Sequence, residues 1–288
     1  MTDIRPRRSA LYMPAANERA LEKAKTLPAD SLIFDLEDAV APDSKEAARF
    51  AACAAAASGA YGGRELTIRC NGLDTAWGSA DLAAIAVSTA AAVVVPKVSS
   101  VAYLDEVTQQ LDRAGAPMAM TVWAMIETPT AIFDVRSIAA HPRVSVLVMG
   151  TNDLARELRA PVTGGRRALL PHLATSLLAA REAGKAILDG VYNDVNDLDG
   201  FSAECAQGVE LGFDGKTLIH PGQVDIANHA WAPSTADIDQ ARRIIAAFDE
   251  AVADGRGVVT VDGRMIENLH VANAQHTIAL ADAIATLE

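Results

Sequence analysis

Short apolar runs alternate along the chain with longer segments in which apolar residues recur at helical spacing. The short runs predict eight strands: Ser9–Met13, Ser31–Leu36, Glu65–Cys70, Ala91–Pro96, Met118–Ile126, Val144–Met149, Ala186–Leu188 and Thr217–Ile219. The longer segments predict helices between them, near Asn17–Thr26, Ser44–Ser58, Ala76–Ala90, Val101–Ala114, Thr130–Ala140, Leu169–Ala183 and Asp197–Leu211. Eight strands that alternate with helices are what a (β/α)8 TIM barrel requires. The alternative is an open doubly wound sheet, but no GxGxxG follows the first strand, and eight repeats favour closure.

A different pattern begins after the eighth unit. It predicts a helix over Ala236–Ala253, a hairpin over Gly257–Ile266 with its turn at Asp262-Gly263, and a last helix over Asn268–Leu287. We therefore predict a catalytic barrel domain over residues 1–231 and a C-terminal extension over residues 232–288. The extension would pack on the barrel, act as a lid or complete the site of a neighbouring subunit.

Two acidic residues stand where successive strands end. Glu127 follows the strand Met118–Ile126, and Asp153 follows Val144–Met149 through Gly150-Thr-Asn152. Neighbouring parallel strands lie about 4.8 Å apart and end on one face, so both carboxylates should emerge together. Carboxylates completed by substrate and water suit Mg²⁺, so the pair predicts a metal site. The structural alternative is that Asp153 and Thr128 cap the following helices.

Further polar residues are expected at the same rim. Arg69 lies on the face of its strand opposite Ile68 and Cys70, and a buried charge needs a partner, so it should meet the carboxylates. A structural ion pair of Arg69 with Glu37 or Asp38 is the alternative. Glu37 and Asp38 would orient waters or Arg69, or cap the next turn.

Four other features are expected to shape or line this rim. Lys97 would form a salt bridge to the acidic rim or, if its pKa is depressed, a Schiff base. Asp189 and His220 also follow strands, and residues 156–167 are predicted to be a loop that shapes the acyl pocket.

The composition narrows the classes of function. The formal net charge of −12 argues against a nucleic-acid surface, because clustered Lys and Arg neutralise phosphates there. No apolar run reaches the ~20 residues of a membrane helix. The three cysteines, Cys53, Cys70 and Cys205, are widely spaced with no CxxC pair, which favours a reducing compartment without structural zinc. We expect a cytoplasmic protein with no nucleic-acid or membrane partner.

Eight short motifs follow one another at spacings that fit successive barrel strands. They are Arg8-Ser-Ala-Leu-Tyr-Met-Pro14, Asp35-Leu-Glu-Asp-Ala-Val40 with Lys45 and Arg49 behind it, Ile68-Arg-Cys-Asn71, Val95-Pro-Lys97, Ile126-Glu-Thr128, Gly150-Thr-Asn-Asp153, Phe213-Asp-Gly-Lys216 with Ile219-His-Pro221, and Asp262-Gly-Arg-Met-Ile266. With them, nearly the whole chain resembles the citrate lyase β-subunit-like (CitE-like) branch of the HpcH/HpaI aldolase superfamily, near the malyl-CoA and citramalyl-CoA lyases.

The resemblance implies a Mg²⁺-dependent carbon–carbon lyase of CoA thioesters that forms a homo-oligomer, a trimer or a hexamer. It puts the metal carboxylates at Glu127 and Asp153 and the thioester-contacting arginine at Arg69. In these lyases a C-terminal Asp reaches into a neighbouring subunit's site as acid or base, and this chain has Glu267 there. A one-methylene change matters, because a 1 Å misplacement can cost about 100-fold in rate. Arg8 is a candidate for CoA phosphate contact or, alternatively, a solvated charge.

We therefore predict retro-Claisen cleavage of a malyl-CoA or citramalyl-CoA type substrate to acetyl-CoA and a 2-oxo acid. Mg²⁺ would act as a Lewis acid, and Arg69 would stabilise the enolate. Arg69, Glu127 and Arg8 are the predicted substrate-binding residues, and Arg69 and Glu267 the catalytic ones. The alternatives are a CoA-independent 2-oxo acid aldolase, a citrate lyase β subunit with an acyl carrier partner, and a non-catalytic acyl-CoA-binding subunit.

Overall fold

Eight parallel strands form a closed barrel in the computed structural model, which describes residues 4–161 and 165–287. The strands are β1 (Ser9–Pro14), β2 (Ser31–Asp35), β3 (Glu65–Arg69), β4 (Ala92–Val95), β5 (Thr121–Ile126), β6 (Val144–Met149), β7 (Ala186–Asp189) and β8 (Gly215–Leu218). Each strand pairs with the next, and β8 pairs with β1 to close the ring. The predicted (β/α)8 barrel is confirmed, and the open sheet is wrong.

Helices follow the strands around the outside of this barrel topology. They are α1 (Glu18–Ala24), α2 (Lys45–Ala57), α3 (Gly78–Ala86), α4 (Val101–Arg113), α5 (Pro129–Ala140), α6 (Thr151–Leu158), α7 (Leu170–Glu182), α8 (Leu198–Leu211) and α9 (Val224–Trp231). The apolar pattern predicts all of these except α6 and α9. Thr128 accepts a hydrogen bond from the Ala131 backbone N–H, so the expected cap of α5 is present.

Alternate strand residues fill the interior of the barrel. The packed residues are Ala10, Ile33, Ala92, Val94, Trp123, Met125, Val146, Val148 and Leu188. At the amino ends of the strands, Arg7 donates two hydrogen bonds to Glu65, at 2.6 and 2.9 Å, and lies over the Trp123 ring. The barrel is therefore a filled core, and a site can form only above it, at the carboxyl ends.

The chain divides into two compact units, one of which is the barrel over Arg7–Ala230. The other contains α10 (Thr235–Ala253), the antiparallel strands β9 (Val259–Val261) and β10 (Arg264–Ile266), and α11 (Asn268–Leu287). Asp262 and Gly263 both have positive φ, at 48° and 76°, as the predicted two-residue hairpin turn requires. Phe248, Val261, Ile266 and Val271 form the apolar core of this unit.

Two observations bear on where the protein resides. Among the described residues, none of the helices combines the length and apolar character needed to cross a bilayer. The three cysteines are free thiols. A cytoplasmic location stays a prediction.

Candidate active site

A cavity of about 410 Å³ opens at the carboxyl ends of the barrel strands. One part of its wall is charged and another is apolar. The lining residues are Tyr12, Pro14, Asp35, Asp38, Ala39, Arg69, Met125, Glu127, Met149, Gly150, Thr151, Asn152, Asp153, Val191, Thr217 and Ile219. Arg69, Glu127 and Asp153, predicted from the sequence to share a site, therefore line one cavity.

Arg69, the last residue of β3, supplies a buried positive charge to this cavity. Its Nε and Nη2 donate to the two carboxylate oxygens of Asp35 at 2.6 and 2.7 Å, and Nη1 lies 2.7 Å from Oε2 of Glu37. The guanidinium also stacks over the Tyr12 ring, 4.8 Å from its centroid. The expected ion pair with Glu37 is present, and Asp38 lies at 3.6 Å with its side chain largely exposed.

The loop after β2 is held by a second set of contacts. Asp35 accepts hydrogen bonds from the backbone N–H groups of Glu37 and Ala39. Lys45 donates to the carbonyl oxygens of Leu36 and Glu37 and to the Asn71 side chain, each at 2.7 Å. Because all three ammonium protons of Lys45 have acceptors, this lysine anchors the loop that presents Glu37 to Arg69.

Glu127 follows β5 directly and is buried. Its Oε1 accepts a hydrogen bond of 2.7 Å from the Lys97 backbone N–H. Its other face lies against Gly150, where an added Cβ would sit 2.3 Å from both Cβ and Oε2 of Glu127. Gly150 is therefore required for this position of the carboxylate.

Glu127 is poorly neutralised in this position. Burial raises the pKa of Glu127 to about 7, and the negative charges of Glu37 and Asp153 act in the same direction. The Lys97 N–H and the Arg69 guanidinium oppose the rise only in part. A cation near Glu127 would lower its pKa again, because an opposite charge favours the ionised form.

Asp153 lies in the first turn of α6, four residues beyond the end of β6. Its Oδ1 is 2.7 Å from Nη2 of Arg156, and its side chain is about one-fifth exposed, at 21%. The cap of α6 is Gly150, with no side-chain cap bond, so the interpretation of Asp153 as a helix cap is wrong.

Carboxylates outnumber cationic side chains around the cavity. The carboxylates are Asp35, Glu37, Asp38, Glu127 and Asp153, and the cations are Arg69, Lys97 and Arg156. Lys45 also acts on Asp35, Glu37 and Asp38, so the excess of carboxylates is small, but Glu127 makes no ion pair among the described residues. No group of three or more His, Cys, Asp or Glu among the described residues has the geometry of a metal site. Glu127 and Asp153 line one cavity, and a pair of carboxylates fits Mg²⁺, which uses one or two of them and completes its shell with water and substrate.

Comparison with known protein families identifies the group to which this chain belongs. Residues 8–221 match the family described as HpcH/HpaI aldolase/citrate lyase. The chain belongs to this family.

Similar proteins extend the match beyond the barrel. A (3S)-malyl-CoA thioesterase of Cereibacter sphaeroides is 50% identical over 280 residues, covering 97% of this chain and 96% of the relative. The citrate lyase subunit beta of Escherichia coli is 34% identical, covering 96% and 94%. The solved structure of CitE from Mycobacterium tuberculosis with magnesium, acetoacetate and coenzyme A has a TM-score of 0.77 and 28% identity, covering 95% and 97%.

These relatives place the chain in the CitE-like branch, a family of CoA-thioester-related lyases, and support enzymatic activity. The magnesium in the mycobacterial complexes supports the use of a divalent metal within the family.

Within this HpcH/HpaI barrel, Arg8 does not lie where the sequence analysis expects it. It precedes β1, so it lies at the amino ends of the strands, opposite the cavity. It is buried, and its Nε and Nη2 each donate to Asp30 at 2.9 Å. The proposed contact of Arg8 with CoA phosphates is therefore corrected to a structural ion pair.

Asp189 also has a different role from the expected one. It ends β7, but its carboxylate contacts Arg166 at 2.6 Å and Lys216 at 2.8 Å in a buried cluster with Glu204, and it does not line the cavity. Arg166 belongs to the predicted pocket loop 156–167. Residues 156–158 of that segment end α6, and residues 162–164 lie outside the described part of the chain.

Lys97 forms the salt-bridge contact with the acidic rim. Its Nζ is 3.7 Å from Oε1 of Glu37. Although burial opposes it, the negative charges of Glu37 and Glu127 raise the pKa of Lys97. A Schiff-base lysine needs a depressed pKa, so this alternative is wrong for Lys97.

Glu267 lies in the second unit, directly before α11 and exposed. Its backbone N–H donates to Nδ1 of His270. Its role as acid or base stays a prediction.

Sequence reasoning missed Asp35 and Lys45 as functional supports. Both stand in a motif quoted above, and the signal for Asp35 was its position at the last residue of β2, in direct register with Arg69 at the end of β3.

Proposed function

We propose that this chain is a magnesium-dependent enzyme of malyl-CoA type thioesters and that it hydrolyses the thioester to the hydroxy acid and CoA. The observation that carries the proposal is one cavity lined by Arg69 together with the two carboxylates Glu127 and Asp153, of which Glu127 makes no ion pair among the described residues. The 50% identical relative, a (3S)-malyl-CoA thioesterase, supplies the substrate class.

Glu127 and Asp153 are the residues that would hold the metal, because both line the cavity, Glu127 makes no ion pair among the described residues, and Asp153 pairs with the exposed Arg156. A bound Mg²⁺ supplies Lewis-acid stabilisation for the hydroxyl and carboxylate oxygens of the hydroxy acid. The Lys97 N–H fixes one oxygen of Glu127 and so determines the direction in which the other faces.

Arg69 has donors left for a substrate. A guanidinium carries five N–H groups, and three of them are used by Asp35 and Glu37. The remaining N–H groups can donate to the thioester oxygen as it becomes negative. Such preorganised donors, held in place before the reaction begins, typically contribute about 10²–10³ in rate.

Hydrolysis follows from water attack at the thioester carbon. The water oxygen forms a bond to that carbon, a carboxylate takes its proton, and the C–S bond then breaks to release the CoA thiolate, which is reprotonated. Glu267 of a neighbouring subunit is the proposed proton acceptor, by the resemblance to the lyases. Arg69 stabilises the oxyanion throughout.

Retro-Claisen cleavage is the second candidate, favoured by the 34% identity with the citrate lyase subunit beta and by the acetoacetate–CoA complex of the mycobacterial CitE. Here the C3 hydroxyl loses its proton, the C2–C3 bond breaks, and the acetyl-CoA enolate is protonated at C2 to leave a 2-oxo acid. The thioester oxygen gains negative charge in this reaction too, so Arg69 serves both. The two reactions differ in the atom that the acid or base must reach.

The test is incubation of purified protein with (3S)-malyl-CoA and Mg²⁺, with products separated by chromatography. Malate and free CoA in equal amounts support hydrolysis, whereas acetyl-CoA and glyoxylate establish the lyase. Intact malyl-CoA after addition of metal would overturn both and leave a binding subunit.

The contribution of Glu267 in trans is tested by mixing two inactive variants. Glu127→Gln protein and Glu267→Gln protein should each be nearly inactive. Their mixture should regain activity after subunit exchange if each site takes Glu267 from a neighbour, and a homo-oligomer should be seen by light scattering. Absence of rescue despite exchange would assign Glu267 to its own subunit or to no catalytic role.

A further inference from the structure

Lys97 has a backbone and a side chain that act on different carboxylates. Its φ of 49° lies in the left-handed region, which is uncommon for a residue with a side chain. In this conformation the backbone N–H contacts Oε1 of Glu127 at 2.7 Å. The ammonium group instead faces Glu37.

The ammonium group of Lys97 is held by charge alone. The distance of 3.7 Å between Nζ and Oε1 of Glu37 is too long for a hydrogen bond, and the side chain is about half exposed, at 48%. Lys45 makes the opposite case, because its Nζ makes three hydrogen bonds of 2.7 Å. Lys97 can therefore leave the rim at little cost, whereas Lys45 cannot.

The ammonium group of Lys97 would compete with a bound metal ion for the negative charge of the same carboxylates. Glu37 and Glu127 both attract its ammonium group; Glu127 lines the cavity with Asp153, and Glu37 contacts Arg69, which lines it too. A divalent cation at Glu127 and Asp153 would repel the same ammonium group.

We propose that Lys97 is the resident counter-cation of this carboxylate cluster and that it lowers the affinity of the Glu127–Asp153 site for a divalent cation. The inference rests on the proposed function only for the location of the metal site. Lys97 keeps the acidic rim partly neutralised without metal and keeps the metal exchangeable. Water screens the interaction between charges at an exposed rim, so each pair contributes only modestly. A partly exposed, mobile ammonium group facing a divalent ion should therefore change affinity by about three- to tenfold.

The test measures binding of Mn²⁺, a spectroscopic substitute for Mg²⁺, by the electron paramagnetic resonance signal of the free ion in protein without substrate. Lys97→Met removes the charge but keeps the backbone N–H and an aliphatic side chain. It should bind Mn²⁺ about three- to tenfold more tightly than the wild type. Lys97→Arg keeps the charge and should bind within about twofold of the wild type. The difference between wild type and Lys97→Met should shrink as salt is raised, because surface charges are screened.

Lys185→Met is the matched control. Lys185 precedes β7 at the amino ends of the strands, so this variant loses the same charge far from the site and should bind Mn²⁺ as the wild type does. Equal or weaker binding by Lys97→Met, or no binding by any variant, would overturn the inference. Tighter binding without thioester turnover would uphold it and reject only the proposed reaction.

Discussion

The two ends of the barrel hold their charged side chains in different ways. At the amino ends, Arg7 pairs with Glu65 and Arg8 pairs with Asp30, each through two or more short hydrogen bonds. At the carboxyl ends, several carboxylates share Arg69, Lys97 and Arg156, and Glu127 has no ion pair among the described residues. The first arrangement is balanced pair by pair, and the second is not.

The difference separates stability from function. A paired buried charge is costly to break but does nothing further, because its partner is already satisfied. An unmatched carboxylate such as Glu127 costs stability until a ligand neutralises it, and this cost is what makes the position able to bind. Changes at the carboxyl end should therefore affect binding and turnover, and changes at the amino end should affect folding.

The largest effect is expected for Glu127→Gln. It removes a proposed metal ligand, so turnover of malyl-CoA should fall by about 10³-fold, the upper range for loss of one group that stabilises developing charge. Its melting temperature without metal should not fall, because a neutral amide replaces a poorly neutralised carboxylate. Steady-state kinetics with Mg²⁺ measures the turnover, and calorimetry in EDTA measures the melting temperature. Glu65→Gln is the comparison at the other end and should show lower stability with normal turnover of the folded protein.

Arg8→Met should produce the largest loss of stability. It leaves Asp30 buried without its partner, which typically costs about 3–5 kcal/mol of unfolding free energy. Urea denaturation measures the loss, with Arg19→Met on the exposed face of α1 as a control that should change little. A raised KM for malyl-CoA with unchanged stability would instead restore Arg8 to the substrate site.

The stability of the metal-free protein should depend on pH through Glu127. The pKa of Glu127 is about 7, above the ordinary value of 4.5. Between these two pH values the folded state keeps a proton on Glu127 that the unfolded state has lost. Stability should therefore be highest near pH 5 and fall as pH rises to 8, by roughly 3 kcal/mol at most. Denaturation of the wild type and Glu127→Gln in EDTA at several pH values measures this component. Parallel curves would show that Glu127 does not titrate there.

Gly150→Ala should have the smallest of these effects. The added methyl group would displace Glu127, and metal affinity should fall about tenfold, which corresponds to about 1.4 kcal/mol. Mn²⁺ binding measures it. Gly257→Ala, where an added Cβ meets nothing within 4 Å, is the matched control and should bind normally.

The sequence predicts the fold better than it predicts ion pairing. The start or end of most strands is predicted to within a residue or two, because apolar runs bounded by turns mark buried parallel strands. The largest error is the start of β5, predicted at Met118 and found at Thr121, and β8 begins two residues before its predicted start because Lys216 is buried against Asp189 and Glu204.

The pairing of Arg69 shows what the pattern leaves undetermined. Glu37 and Asp38 are the partners of Arg69 predicted from the sequence, and Asp35 is missed, although it receives two of the hydrogen bonds because of the register of β2 against β3. The prediction for Arg8 is wrong because it places the residue at the wrong end of the barrel. A residue before a strand lies at the opposite end of the barrel from a residue after it, and this simple rule could have corrected its assignment.

The filled interior of the barrel affects the order in which ligands can bind and be released. Trp123 and its neighbours close the cavity from below, and the Arg7–Glu65 pair seals the strands beneath them. Every molecule must therefore enter and leave through one opening, so whatever sits deepest arrives first and departs last. In the condensation direction of the lyase alternative, a 2-oxo acid bound below the acyl-CoA would therefore be the leading reactant of an ordered mechanism.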